Sequence, residues 1–167
     1  MAGYFAGGCP KRINGGISLM TRIVFPYGIR FQEDGRVDLF PAGEFFILGR
    51  GNRGIRAIFH IDSGATTSIL PASDAHVLGL RLESGQKILV RGFMGEPAAG
   101  YRHLIKIKSG TITARIPIIF VEGATVPRIL GREGVFVQFS VLFDEVRKRT
   151  AFLDAYKEQK QIEALLS

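Results

Sequence analysis

The sequence predicts an all-β fold, a barrel or a sandwich, on three observations. Short apolar runs rich in Phe, Ile and Val recur along the chain, and Gly, Pro and Asn turn signals separate them. With 167 residues, 46% of them hydrophobic, there is material for one globular core and little for a second.

The elements follow in order. Residues 1–19 hold Gly3, Gly7, Gly8, Gly15 and Gly16 without sustained periodicity and read as a flexible N-terminal arm. The folded domain is expected over 20–153, with a C-terminal helix over 154–167. Apolar runs at 23–25, 37–40, 44–48 and 55–61 read as strands, and Arg50-Gly51-Asn52-Arg53 before the last of them as a hairpin turn with solvated charges. Residues 71–80 suit a short helix or turn, with Ser73 as cap and Gly79 as stop. Strands over 86–91 and 101–108 flank a glycine-rich tip that contains Gly92, Phe93, Met94 and Gly95, which makes a mobile hairpin. Residues 111–121 alternate in their first half and run continuously apolar in their second. A short helix fits 134–139. Residues 141–143 and 150–153 form a hairpin around 144–149. Asp154 is placed to cap a helix over 155–166, with Tyr156, Ile162, Leu165 and Leu166 as its apolar stripe.

Composition removes several function classes. No apolar run is long enough to cross a bilayer, and residues 1–20 lack the basic start and continuous apolar middle of a signal peptide, so a cytoplasmic location without membrane contact is expected. A lone Cys9 in a glycine-rich leader supports neither an internal disulfide nor a thiol nucleophile. The net charge of +7 favours acidic partners at long range. The basic residues are spread along the chain instead of gathered with aromatics, so no nucleic-acid partner is expected.

One stretch bears chemistry. The apolar run 55–59 leads through His60 and Ile61 into Asp62-Ser63-Gly64-Ala65-Thr66, which delivers a carboxylate from a strand end into a tight turn where an unshared charge is costly. By itself Asp-Ser-Gly is also an ordinary turn opener, because Asp and Ser bond back to the local backbone. A second element, Ile129-Leu130-Gly131-Arg132, closes a later apolar strand end.

In kind, order and spacing, Asp62-Ser63-Gly64-Ala65 followed by Ile129-Leu130-Gly131-Arg132 resembles the retropepsin-like aspartic peptidases, over roughly residues 43–143. The resemblance implies a closed, flattened barrel of retropepsin type with a flap hairpin, one short helix after Ile-Leu-Gly-Arg and a C-terminal helix. It implies an endopeptidase that uses no cofactor and no metal, with Asp62 as the catalytic residue. Two carboxyls sharing a proton can serve as base and acid, and the chain holds one Asp-Ser-Gly, so a homodimer is required. Ser63 then bonds across the axis, Gly64 permits close approach, and Ala65 keeps the pocket floor small. Gly92, Phe93, Met94 and Gly95 form the flap over an extended polypeptide substrate. Leu130 and Gly131 pack beneath the turn, and Arg132 matches the family's arginine. Viral enzymes place an acidic residue after the Ala to pair with that arginine; here Thr66 stands there, so either Glu133 substitutes locally or Arg132 bonds to backbone carbonyls.

Three other readings compete. A metal hydrolase would use His60 and Asp62 with His76 or His103, without compact ligand spacing. A Ser63 nucleophile lacks the Gly-x-Ser-x-Gly elbow. A non-catalytic dimeric peptide-binding module of the same fold keeps every residue and forgoes turnover.

Overall fold

The computed structural model describes residues 22–90, 97–123 and 125–167. The N-terminal arm and the flap tip at Gly92, Phe93, Met94 and Gly95 lie outside the described residues.

The centre is a seven-stranded sheet. Its strands are β4 (Ala42–Leu48), β5 (Gly54–Ile61), β6 (Ser68–Pro71), β7 (Gln86–Val90), β8 (Ala98–Ser109), β9 (Ile112–Val121) and β10 (Ile129–Leu130), which follow β1 (Arg22–Pro26), β2 (Gly28–Phe31) and β3 (Val37–Phe40) in the chain. Their order is β4-β5-β10-β6-β9-β8-β7, and β4 also pairs with β8 through Ile47 opposite Ile107, so the sheet closes into a ring. Closure gives each of the six ring strands a paired neighbour on both sides over at least part of its length.

Period-two patterning explains which face turns inward. In β5, Ala57, Phe59 and Ile61 are buried while Arg56 and Ile58 are exposed. In β9 the pattern changes as expected, alternating from Ile112 to Ile116 and then buried on both faces from Ile118 to Val121. Gly51 and Asn52, both at positive φ, make the two-residue turn between β4 and β5.

A second sheet is formed by β1, β12 (Arg149–Asp154) and β11 (Phe139–Asp144), with β12 in the middle. Aromatic packing fastens it to the ring. Phe152 lies edge-on to Phe45 at 5.5 Å between centroids, to Phe25 at 5.9 Å and to Phe139 at 6.0 Å.

Several expectations are corrected. Strand β2 pairs with β3 in a separate two-stranded hairpin, and its half of that hairpin went unread because Gly28-Ile29-Arg30-Phe31 carries too little apolar sequence. The helix α1 (Ala72–Val77) begins after Pro71, and Ser73 lies inside it without capping. Gly79 does end it, at φ +68. Residues 132–138 form consecutive turns instead of a short helix, since Gly134 at φ +72 breaks the right-handed path. The C-terminal helix α2 spans Gln159–Leu166 rather than starting at 155. Asp154 instead accepts the backbone N–H of Tyr156 and Lys157 and holds a turn ahead of it. Among the described residues no helix is long and apolar enough to cross a membrane.

Candidate active site

The ring brings the two singled-out elements together. Strand β10 lies between β5 and β6, parallel to β5 with Leu130 opposite Ile61, and antiparallel to β6 with Ile129 opposite Ile69. The chain therefore leaves β5, turns through residues 62–67 and returns along β6, with β10 threaded into the gap. Residues 68 positions apart, Asp62 and Leu130, meet by a backbone bond of 3.1 Å from the Asp62 N–H to the Leu130 carbonyl.

The turn is held from within. Asp62 Oδ1 accepts the N–H of Gly64 at 2.8 Å and of Ala65 at 3.2 Å, which fixes the carboxylate by its own backbone. Asp62 is half-buried while Ser63 and Gly64 are exposed, so the carboxylate stands at the rim of the molecule. A Cβ on Gly64 would approach Asp62 Oδ1 to 3.2 Å, which ties this glycine to the carboxylate's position.

The turn is also held from below. The N–H of Arg132 donates to the Ala65 carbonyl at 3.0 Å, and that of Glu133 to the Thr66 carbonyl at 2.8 Å. Leu130 is fully buried. Gly131 packs so closely that a Cβ there would lie 2.5 Å from the Thr67 carbonyl oxygen. Its N–H donates to the buried Ser68 hydroxyl at 3.1 Å.

One expected pairing falls out differently. Glu133 forms its ion pair with Arg102, not with Arg132. Arg132 is exposed and anchors the turn through its backbone, with no side-chain ion pair among the described residues.

Sequence reasoning missed several supports. Ser68 was read only as part of the sequence after the turn. Asp74 on α1 accepts two hydrogen bonds from Arg128, from Nε and a terminal nitrogen, both 2.8 Å, and 54 positions separate them. Only the topology pairs them. His60 also has a wall: its ring is 5.2 Å from that of Phe40, and the Arg30 guanidinium lies 5.3 Å from the Phe40 centroid. Burial pulls the His60 imidazole below its ordinary range; the nearby Asp62 opposes this and Arg30 adds to it.

The histidines of the metal reading do not assemble. His103 bonds the Leu82 carbonyl at 3.0 Å and stacks edge-on against Phe120, and among the described residues no three His, Cys, Asp or Glu side chains gather into a ligand set. An open groove of about 430 Å³, lined by Gln86, Arg102, Leu104 and Glu133 among others, includes none of residues 62–65.

A closed β ring that presents an aspartate on a turn interlocked with a buried Leu-Gly strand end is the architecture of an aspartic-peptidase type of protein. The chain belongs to the aspartyl protease family, whose model matches residues 50–133. No curated protein matches it. Among solved structures it is similar to a retropepsin-like aspartic protease from Rickettsia conorii, at 20% identity and a TM-score of 0.49, over 78% of this chain and 89% of that one. It is also similar to the EIAV protease complexed with the inhibitor HBY-793, at 21% identity and a TM-score of 0.40, over 56% of this chain and 82% of that one.

Proposed function

We propose that this protein is an aspartic endopeptidase whose active site forms when two copies bring their Asp62 side chains together. The observation that carries the reading is the state of that carboxylate: one per chain, half-buried at an exposed rim, and fixed through Oδ1 by the Gly64 and Ala65 amides. A pre-positioned carboxylate avoids reorganisation during the reaction. A lone one supplies either the base or the acid of amide hydrolysis, and the reaction needs both.

In the dimer the two carboxyls share one proton, because like charges a few ångströms apart resist joint ionisation; aspartic proteases are a standard illustration of this behaviour. The ionised carboxylate takes a proton from water as the water oxygen attacks the scissile carbonyl carbon. The protonated partner stabilises the developing oxyanion. Collapse of the tetrahedral intermediate breaks the C–N bond, and a carboxyl returns the proton to the departing amine. Ser63, exposed beside the turn, is assigned to bond across the axis, and Arg132 to hold the turn from beneath. Residues 92–95 are assigned to the flap over the extended substrate.

The test is cleavage of a diverse peptide library by wild type and Asp62→Asn from mildly acidic to neutral pH, with and without chelator. Cleavage lost in the variant and indifferent to chelator supports the Asp62 dyad. Folded dimers of both proteins that leave every peptide intact favour the non-catalytic peptide-binding module. Specific activity that does not fall on dilution counts against a shared site.

A further inference from the structure

The hairpin of β2 and β3 carries an apolar face that nothing among the described residues covers. Ile29 stands opposite Leu39 and Phe31 opposite Val37, so these four side chains share one face. Their exposures are 59%, 49%, 77% and 53%. A two-stranded hairpin is marginal alone in water, and this one pairs with no other sheet among the described residues. Together the four expose on the order of 400 Å² of apolar surface, the size of the largest patch on a typical monomer, which is often functional.

The opposite face shows where this hairpin stands. Phe40, at its base, packs on His60, two residues before Asp62, and Arg30 lies over Phe40. The hairpin is therefore anchored beside the half-site that needs a second copy. Local charge does not oppose a second copy: Asp34 pairs with Arg36, and the two arginines and three carboxylates between Gly28 and Phe40 sum to −1 on a chain of +7. The apolar area is about half of the roughly 800 Å² that each partner gives a standard interface, and the exposed Ser63-Gly64 turn nearby adds to it.

From this placement we infer that the β2–β3 hairpin is a dimerisation arm, whose Ile29, Phe31, Val37 and Leu39 face is buried against a second copy of this chain. The inference rests on the shared-site reading above. It adds a specific surface to it, one that joins dimer formation to the wall of the candidate active site through Phe40 and His60.

The experiment is sedimentation of the full chain over a concentration series, for wild type, Phe31→Ser/Leu39→Ser and Asp62→Asn, with hydrogen exchange across residues 28–40. The hairpin substitutions remove exposed side chains, so circular dichroism should show the wild-type fold. They are expected to raise the dimer dissociation constant at least about tenfold, given what burial of such side chains contributes. Exchange in 28–40 is expected to slow in wild type as concentration rises. A hairpin variant that dimerises like wild type, with exchange indifferent to concentration, overturns the arm and leaves the Asp62 dyad standing; that is also the result if another protein occupies the face. A wild-type monomer that cleaves peptide overturns both. Dimers that need the hairpin yet show no Asp62-dependent cleavage keep the arm and remove the catalytic reading.

Discussion

Arg128 holds the Asp74 carboxylate by two hydrogen bonds of 2.8 Å, and its own carbonyl accepts the N–H of His60 at 2.9 Å. One residue thus ties helix α1 to the segment entering β10 and to the strand that delivers Asp62. The Asp74 side chain is 7% exposed and that of Arg128 44%. The two halves of the pair are therefore unequal.

That inequality sets the first expectation. Arg128→Met leaves a buried carboxylate without its partner and is expected to cost about 3 kcal/mol, whereas Asp74→Asn leaves a cation that water reaches and costs less. Urea unfolding of the two variants checks the order. Equal losses would show that Arg128 matters through some contact other than Asp74.

Gly131 sets the second. Any side chain there meets the backbone of Thr67, at 2.5 Å to the oxygen and 2.6 Å to the carbonyl carbon, and the Ala65 carbonyl at 3.0 Å. Backbone gives way less easily than a flexible side chain, so Gly131→Ala is expected to cost about 2 kcal/mol or more and to displace the turn that carries Asp62. Ser68→Ala, which strips the Gly131 N–H of a buried acceptor, is expected to cost about 1–3 kcal/mol without a clash. Denaturant melts separate the two, and peptide cleavage should fall further in Gly131→Ala.

A third expectation runs toward higher stability. The Thr150 hydroxyl is fully buried on β12, and among the described residues it has no hydrogen-bond partner. Thr150→Val keeps the shape and the β-branch and removes an unsatisfied polar atom, so a gain of about 1 kcal/mol is expected. A thermal melt that drops instead would mean that an ordered water satisfies this hydroxyl.

What could be read from the sequence followed the range of the interaction. Strands with period-two burial, such as β5, and the turn at Gly51-Asn52 depend on neighbouring residues and were legible. So was the turn that carries Asp62, because strand end, carboxylate and Ser-Gly-Ala fall within one segment. The pairings of Arg128 with Asp74 and of Glu133 with Arg102 depend on β10 being threaded between β5 and β6, and no local pattern encodes that. The helix ends failed for another reason. Asp154 and Ser73 are good capping residue types, but Asp154 found backbone donors in a preceding turn and Ser73 fell inside α1. Residues 132–138 contain Gly134, which adopts positive φ in this context, and its presence in the sequence alone did not reveal that.

The last expectation concerns alkaline pH. Burial, helped by its hydrogen bond to Glu145 at 2.7 Å, pushes the Tyr27 phenol up from 10.0 to about 12. The folded protein therefore holds this proton more tightly than the unfolded chain does. The resulting stabilisation is complete below pH 10.0 and is lost as pH rises toward about 12, where the phenolate must form beside the Glu145 carboxylate. Glu145 shows the converse. Lys148 first, then Tyr27, lower its carboxyl, so its contribution is present above its ordinary range near 4.5 and fades as the solution is acidified through the lowered value. Tyr27→Phe removes the hydrogen bond from both balances. Relative to wild type it should be less stable at neutral pH, by about 1 kcal/mol for one hydrogen bond, and the gap should close as pH rises through that alkaline window. Denaturant titrations at neutral and alkaline pH measure the gap. A difference independent of pH would mean that Tyr27 acts through ring packing alone, including its contact with Lys148, whose ammonium nitrogen lies 5.9 Å from the ring centroid.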